Sequence, residues 1–256
     1  MGIGGISVFV TTIDSVMEMP AGPLPRNRVH EIMDDGNLRL EDHREALVAL
    51  QSINRLSRAA QRLMPSILSL AKKLGTNRLR MLDVACGGGD VPLALAQLAA
   101  QHSITLELTL LDRSDTAVNH ASVAAKNLGL TCTALVGDVL LTDMPHADIV
   151  SNSLFLHHLD APEVVLLLRR LAEHTDHMLL VSDLMRSRLG LFNAAIACRI
   201  LTRSSIVHHD GPASVRAAWT IDELRDMARQ AGLASATVRP VFPWRMVLEY
   251  HKGQAG

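Results

Sequence analysis

The chain has 256 residues, 48% of them hydrophobic and 20% charged, which is enough for one sizeable domain or a domain with a cap. Its 25 basic and 26 acidic residues leave a formal charge of −1, and aromatics make up only 3%. There is thus no global basic footprint and little stacking surface, so nucleic acid is not an expected partner. Three cysteines, Cys86, Cys132 and Cys198, are odd in number and far apart; neither a disulfide framework nor a zinc site is expected, and a reducing cytoplasm fits.

Residues 1–26 read as a flexible tail ending in the proline-rich "MPAGPLPRN". The start lacks a basic region and its apolar run is cut by Asp14, a poor signal peptide. Residues 27–76 read as a helical cap. Leu47, Leu50, Ile53, Leu56 and Ala60 recur at three- and four-residue spacing, Pro65 is expected to break or restart the helix, and Gly75 to cap it. From residue 77 onward the pattern alternates. Apolar runs at 80–84, 104–111, 132–136, 147–151 and 178–182 read as strands, with the helical stretches "DVPLALAQLAAQ", "DTAVNHASVAAKNLG" and "APEVVLLLRRLAEH" among them. Such alternation predicts right-handed βαβ units around a parallel sheet.

Residues 185–219 form a helical insertion. It contains Arg199 and Arg203, so a cap helix is expected there in place of a membrane span. Its Leu189, Leu191, Phe192, Ala195, Ile196, Ile200 and Leu201 are expected to make an apolar lid, with Asn54 to Arg58 closing the other side. Arg186 and Arg188 read as a solvated face, and Asp210 before Gly211-Pro212 as a turn. "TIDELRDMARQAG" then reads as a helix with Thr220 at its N-cap and Glu223 three residues on. Two strand-like runs follow, "SATVRPVF" and "WRMVLEYH", linked too briefly for a parallel crossover.

The functional question concentrates at "RMLDVACGGGD", residues 80–90, where a strand runs into three glycines. In a parallel sheet, ligands bind beyond the carboxyl ends of the strands, and glycines there admit close approach to backbone. A P-loop would need a lysine that is missing. The Gly-x-Gly-x-x-Gly dinucleotide pattern aligns poorly, on Ala85, Gly87 and Asp90. The stretch Asp83-Val84-Ala85-Cys86-Gly87-Gly88-Gly89, with Asp112 ending the next strand, Gly137-Asp138 after the third and "SNSLFLHHL" after the fourth, instead resembles the class I S-adenosylmethionine (SAM) dependent methyltransferases. Ala85 stands where that family's first glycine would be, a change of one methyl group.

The resemblance implies an α/β, doubly wound Rossmann-like fold. Its sheet would be mostly parallel and seven-stranded, with an antiparallel C-terminal hairpin, and residues 77–256 would be the SAM-binding domain. It implies that the loop at Asp83, Ala85, Cys86, Gly87 and Gly89 receives the amino-acid end of SAM. Asp112, with Arg113 beside it, would take the ribose diol, Asp138 the adenine amine and Val139 its face, and Asn152 would close the strand-end set. A methyl acceptor often has to lose a proton, and histidine suits that task. His157 and His158 after the fourth strand, and His208 and His209 in the insertion, are the candidates. The Asn/Asp-Pro-Pro-Tyr/Phe tetrapeptide of amino-methylating nucleic-acid enzymes and the Pro-Cys of cytosine C5 chemistry are both absent, which favours a small-molecule acceptor. The expected activity is O-methylation of an apolar hydroxylated molecule, phenolic or polyketide-like. C-methylation of a quinone precursor is the alternative, and a non-catalytic binding protein on the same fold a third.

Overall fold

The computed structural model describes residues 24–29, 31–34, 38–39, 41–42, 45–49 and 58–253. Seven strands form one sheet: β1 Arg78–Val84, β2 Thr105–Asp112, β3 Cys132–Val136, β4 Ala147–Ser153, β5 Thr175–Leu184, β6 Thr237–Val241 and β7 Arg245–His251. Their order is β3-β2-β1-β4-β5-β7-β6. The first five are parallel to one another, whereas β7 runs antiparallel to both β5 and β6. Short crossovers cannot join parallel neighbours, so the brief link between β6 and β7 dictates that reversal.

The period of two along each strand divides the core. Leu79 and Met81 of β1, Leu108 and Leu110 of β2 and Leu180 of β5 face one side. Leu82, Val84, Leu111, Leu179 and Val181 face the other. Against the first side pack α1 Ala59–Leu74, α2 Asp90–Gln101 and α3 Asp115–Asn127. Against the second pack α4 Ala161–Glu173 and α7 Ile221–Gln230. Both sheet faces are covered, which is why the central strands are apolar almost throughout.

Helix ends follow local chemistry. Gly75 takes φ 65° after α1, and Thr76 N–H reaches Ala71 O at 3.1 Å, closing a Schellman turn. The Thr220 amide donates to Glu223 Oε2 (2.8 Å) and Glu223 N–H to Thr220 Oγ1 (3.3 Å), the reciprocal cap expected at the start of α7.

Two proline expectations are overturned. Pro65 lies inside α1 without interrupting it, because it sits on the exposed side while Leu63, Met64, Ile67 and Leu70 bury the opposite face. The insertion forms α5 Arg188–Leu201 and α6 Ser205–Ala217, and α6 runs through Gly211 and Pro212, where a turn was expected. Asp210 caps another segment instead: its carboxylate accepts the N–H groups of Ile32 (2.9 Å) and Met33 (3.0 Å). Arg186 is not solvated either. It is buried and donates to Ala218 O (3.1 Å) and Glu223 Oε1 (2.6 Å).

Candidate active site

The topological switch lies between β1 and β4, and a cavity of about 1340 Å³ opens beyond the carboxyl ends of these strands. One end is the loop after β1. Gly87 (φ 53°) and Gly89 (φ 75°) both take left-handed backbone. Gly87 borders the cavity, and a Cβ added there would meet nothing within 4 Å, so the loop offers bare backbone to a ligand. Gly89 does not border the cavity; a Cβ there would lie 3.0 Å from Ala121 Cβ, so it serves the packing of α2 on α3. Ala85 also takes positive φ, 49°. The methyl group that distinguishes it from glycine therefore carries backbone strain of order 1 kcal/mol.

Asp112 ties this end together. Its Oδ2 accepts the Gly87 N–H at 2.8 Å and its Oδ1 the Ser114 N–H at 2.9 Å. Each oxygen keeps a second lone-pair direction, the acceptor set that the two O–H groups of a vicinal diol need. Arg113, Asp138 and Val139 border the same cavity. Asp138 Oδ1 accepts the Leu140 N–H (2.8 Å), and Val139 is buried. Asp83 lies under the loop and accepts a hydrogen bond from Ser151 Oγ. Burial lifts its carboxyl to about 7, assisted by Asp90 and Asp112 and opposed by the Ser151 bond. Cys86 is buried beside it. Desolvation, then the charges of Asp83 and Asp112, push its thiol up and away from thiolate chemistry. Asn152 does not border the cavity. Its Nδ2 donates to Val84 O (2.8 Å) and ties β4 to β1.

The other end is polar and assembled from distant segments. His157 is buried on a short 3-10 turn, Leu156–His158, and its Nδ1 pairs with Asp183 Oδ1 at 2.7 Å. Burial alone would raise Asp183, but His157 and the Leu184 N–H outweigh it and hold the carboxyl below its ordinary value. Glu31 Oε1 lies 3.7 Å from His157 Nε2, and Glu31 Oε2 3.9 Å from His158 Nε2. Ser214 Oγ donates to Glu31 Oε1 at 2.6 Å. The turn itself is clamped by Trp219 Nε1 on Leu156 O (3.0 Å) and by the Arg26 guanidinium. Arg26 reaches Ala217 O, His157 O and Leu159 O and stacks 3.6 Å over the Trp219 ring. Arg245 is buried in the cavity wall, in the field of Asp183 and Asp90.

Of the four candidate histidines, the structure brings two together and sets two aside. His157 and His158 border the cavity. His208 Nε2 meets Thr202 O (2.9 Å) and His209 Nδ1 meets Asp210 Oδ1 (2.9 Å), and neither borders it. The expected lid also turns the other way. Leu189, Phe192, Ile196 and Ile200 are exposed, Phe192 by 63% and Ile200 by 75%. None of the seven expected lid residues borders the cavity, and α5 presents Ala194, Ala197 and Cys198 to it instead. Small residues face inward because α6 packs closely on that side; a Cβ on Gly211 would lie 2.3 Å from Cys198 Sγ. Of Asn54 to Arg58, only Arg58 falls within the described residues.

Sequence reasoning missed Glu31, Asp183, Arg26 and Arg245. Asp183 carries the same signal as Asp112, an acid near the carboxyl end of a parallel strand. Glu31, Arg26 and Arg245 carry no local signal.

Residues 81–177 match the family model described as "Methyltransferase domain". Residues 81–177 are a class I methyltransferase domain. No curated protein matches the chain. Solved structures share its fold at low identity. Human N-acetylserotonin methyltransferase in complex with SAM has a TM-score of 0.58 at 15% identity, over 81% of this chain and 55% of its own. Magnesium protoporphyrin IX methyltransferase of Synechocystis PCC 6803, with bound S-adenosylhomocysteine (SAH), has 0.52 at 17%, over 87% and 91%. An O-methyltransferase family 2 protein of Planctomyces limnophilus DSM 3776, in complex with apigenin, has 0.51 at 20%, over 68% and 50%. This chain spans about half the length of the human and Planctomyces proteins.

The methyltransferase match covers the glycine loop, Asp112, Asp138 and His157, and ends before Asp183. Glu31 and the helices α5 and α6 lie outside it. Among the described residues, no helix is long and apolar enough to cross a membrane. The cofactor of such domains is SAM, and the near end fits it: bare backbone at Gly87, a fixed carboxylate at Asp112 and an apolar wall at Val139.

Proposed function

We propose that the chain transfers the methyl group of SAM to a hydroxyl of an apolar, aromatic or polyketide-like small molecule. The observation that carries this reading is that one cavity has the glycine loop with Asp112 at one end and the His157–Asp183 pair at the other. When bound, the cofactor supplies an electrophilic methyl on a sulfonium sulfur. At the near end, backbone at Gly87 would receive its carboxylate, Asp112 its ribose and Asp138 with Val139 its adenine.

At the far end, with the proton on His157 Nδ1 that Asp183 accepts at 2.7 Å, Nε2 carries a free lone pair on the side of Glu31, 3.7 Å away. His157 Nε2 takes the proton of the acceptor hydroxyl as the oxygen–methyl bond forms and the sulfur–methyl bond breaks; the products are a methyl ether and SAH. Leu154, Phe155 and Leu184 add apolar side chains to the wall of the same cavity. A base aimed into the cavity favours a hydroxyl acceptor, and the relative in complex with apigenin, a polyphenol, supports a phenol.

Calorimetric titration of SAM and SAH tests the first half. Micromolar binding is expected in the wild type, and Asp112→Ala should weaken it at least tenfold, through the lost carboxylate and the loosened Gly87 amide. For the second half, turnover on a panel of phenols and quinone precursors with labelled methyl is expected to fall 10²- to 10⁴-fold in His157→Gln while SAM affinity holds. A folded wild type that binds neither ligand refutes the enzyme reading, and label found on carbon replaces O- by C-methylation.

A further inference from the structure

We propose that Glu31, His157 and His158 also form a binding site for a divalent transition cation of the zinc type, and that filling it switches methyl transfer off. The second half of this statement rests on the reading of His157 as the proton acceptor; the first does not. Among the described residues, this is the place where three potential ligands converge: one donor atom from each side chain lies within 4.8 Å of the others. Glu31 Oε1 is 3.7 Å from His157 Nε2 and Glu31 Oε2 is 3.9 Å from His158 Nε2. Ligands held about 2.0–2.1 Å from one tetrahedral ion stand roughly 3.3 Å apart, so small side-chain shifts close the site.

Three further features match a cation site. His157 Nδ1 already carries a carboxylate partner, Asp183 at 2.7 Å, the arrangement that orients a metal-bound imidazole and leaves Nε2 to the ion. Ser214 Oγ holds Glu31 at 2.6 Å, fixing the third ligand. All three side chains border the cavity, so the fourth position opens onto exchangeable space. Two imidazoles and one carboxylate select zinc, cobalt or nickel over magnesium and calcium, which prefer all-oxygen sets. The site had no spacing signal because Glu31 comes from a distant segment.

A cation on His157 Nε2 uses the lone pair that the acceptor proton needs. Nothing covalent changes, and removal of the ion restores the base. The control is therefore reversible and set by free cation concentration.

The experiment uses the full chain, stripped with chelator and desalted, and titrates it with Co²⁺ alone while visible absorption and heat are recorded. Stoichiometric binding with a tetrahedral d–d band is expected in the wild type. At least tenfold weaker binding is expected in both Glu31→Gln and His158→Gln, whose folding is checked by circular dichroism. Mg²⁺ should give neither signal. With EDTA present, turnover should be full, and Zn²⁺ should lower it in step with site filling. No band in the wild type, or a band unchanged in both variants, overturns the site. Turnover that rises as the site fills overturns the switch and His157's role as base while the site stands. Absence of SAM binding in EDTA refutes the methyltransferase reading whatever Co²⁺ does.

Discussion

At the scale of single residues, the decisive groups are those whose environment contradicts their ordinary chemistry. Asp83 is a carboxylic acid under the glycine loop, and burial lifts it to about 7. Asp90 and Asp112 are the acids facing it, and Ser151 is its hydrogen-bond partner. An unfolded aspartate ionises near 4, so between about pH 4 and pH 7 the folded chain holds a proton that the unfolded chain has lost. Stability should therefore fall as pH rises through that window, by about 1.4 kcal/mol per unit from this group, and level off above it. Urea titrations of wild type and Asp83→Asn between pH 4 and 8 check this: the wild type should lose ground to the variant up to pH 7, and parallel curves would refute the raised value. Asp83, Asp112 and the glycines were legible because their spacing is local. The strain at Ala85 was not, since φ 49° is a property of the folded turn.

At the scale of elements, pattern and packing disagree in the insertion. The apolar residues of α5 recur at Leu189, Phe192, Ile196 and Ile200, the spacing of a helix face. Periodicity shows that such a face exists without showing which way it turns. Contact with α6 chose the face with Cys198, because Gly211 leaves room only for a small side chain there. The cavity is thus walled by Ala194 and Ala197, and under the proposed function these two alanines would set the room for the acceptor. Ala197→Leu should raise KM for a bulky phenol by about tenfold, the scale of a lost methylene-sized fit, while SAM affinity stays level. A KM unchanged across acceptors of different size would remove α5 from the acceptor wall. The prolines teach the same lesson. Pro65 and Pro212 carry strong local breaker signals, yet each sits in a helix whose buried face outweighs the roughly 3 kcal/mol cost of one proline.

At the scale of the whole molecule, the far end of the cavity exists because the N-terminal segment crosses the strand ends. Residues 1–26 read as a flexible tail, with 1–23 outside the described residues, yet Arg26 spans Ala217, His157 and Leu159 and stacks on Trp219. One side chain thereby joins the segment before the cap, the His157 turn and the end of α6. Arg26→Ala should cost about 2 kcal/mol in denaturant unfolding, from charged hydrogen bonds and the cation–π contact together. It should also lower kcat more than it weakens SAM, since the histidine turn is what it holds. Unchanged stability would show that the clamp is idle.

The sequence by itself determined the alternation of strands and helices, the reversed last strand, the glycine loop and the acids at the ends of β2 and β3. These depend on periods of two and 3.6, on turn chemistry, and on motifs whose residues are neighbours along the chain. Only the tertiary structure decided that His157 and His158 belong to the cavity while His208 and His209 do not, and that Glu31 and Asp183 are their partners. It also decided that α5 turns its alanines inward. Those outcomes depend on which elements meet across the sheet, and side chains from distant segments acquire neighbours, charge and direction only once they are packed together.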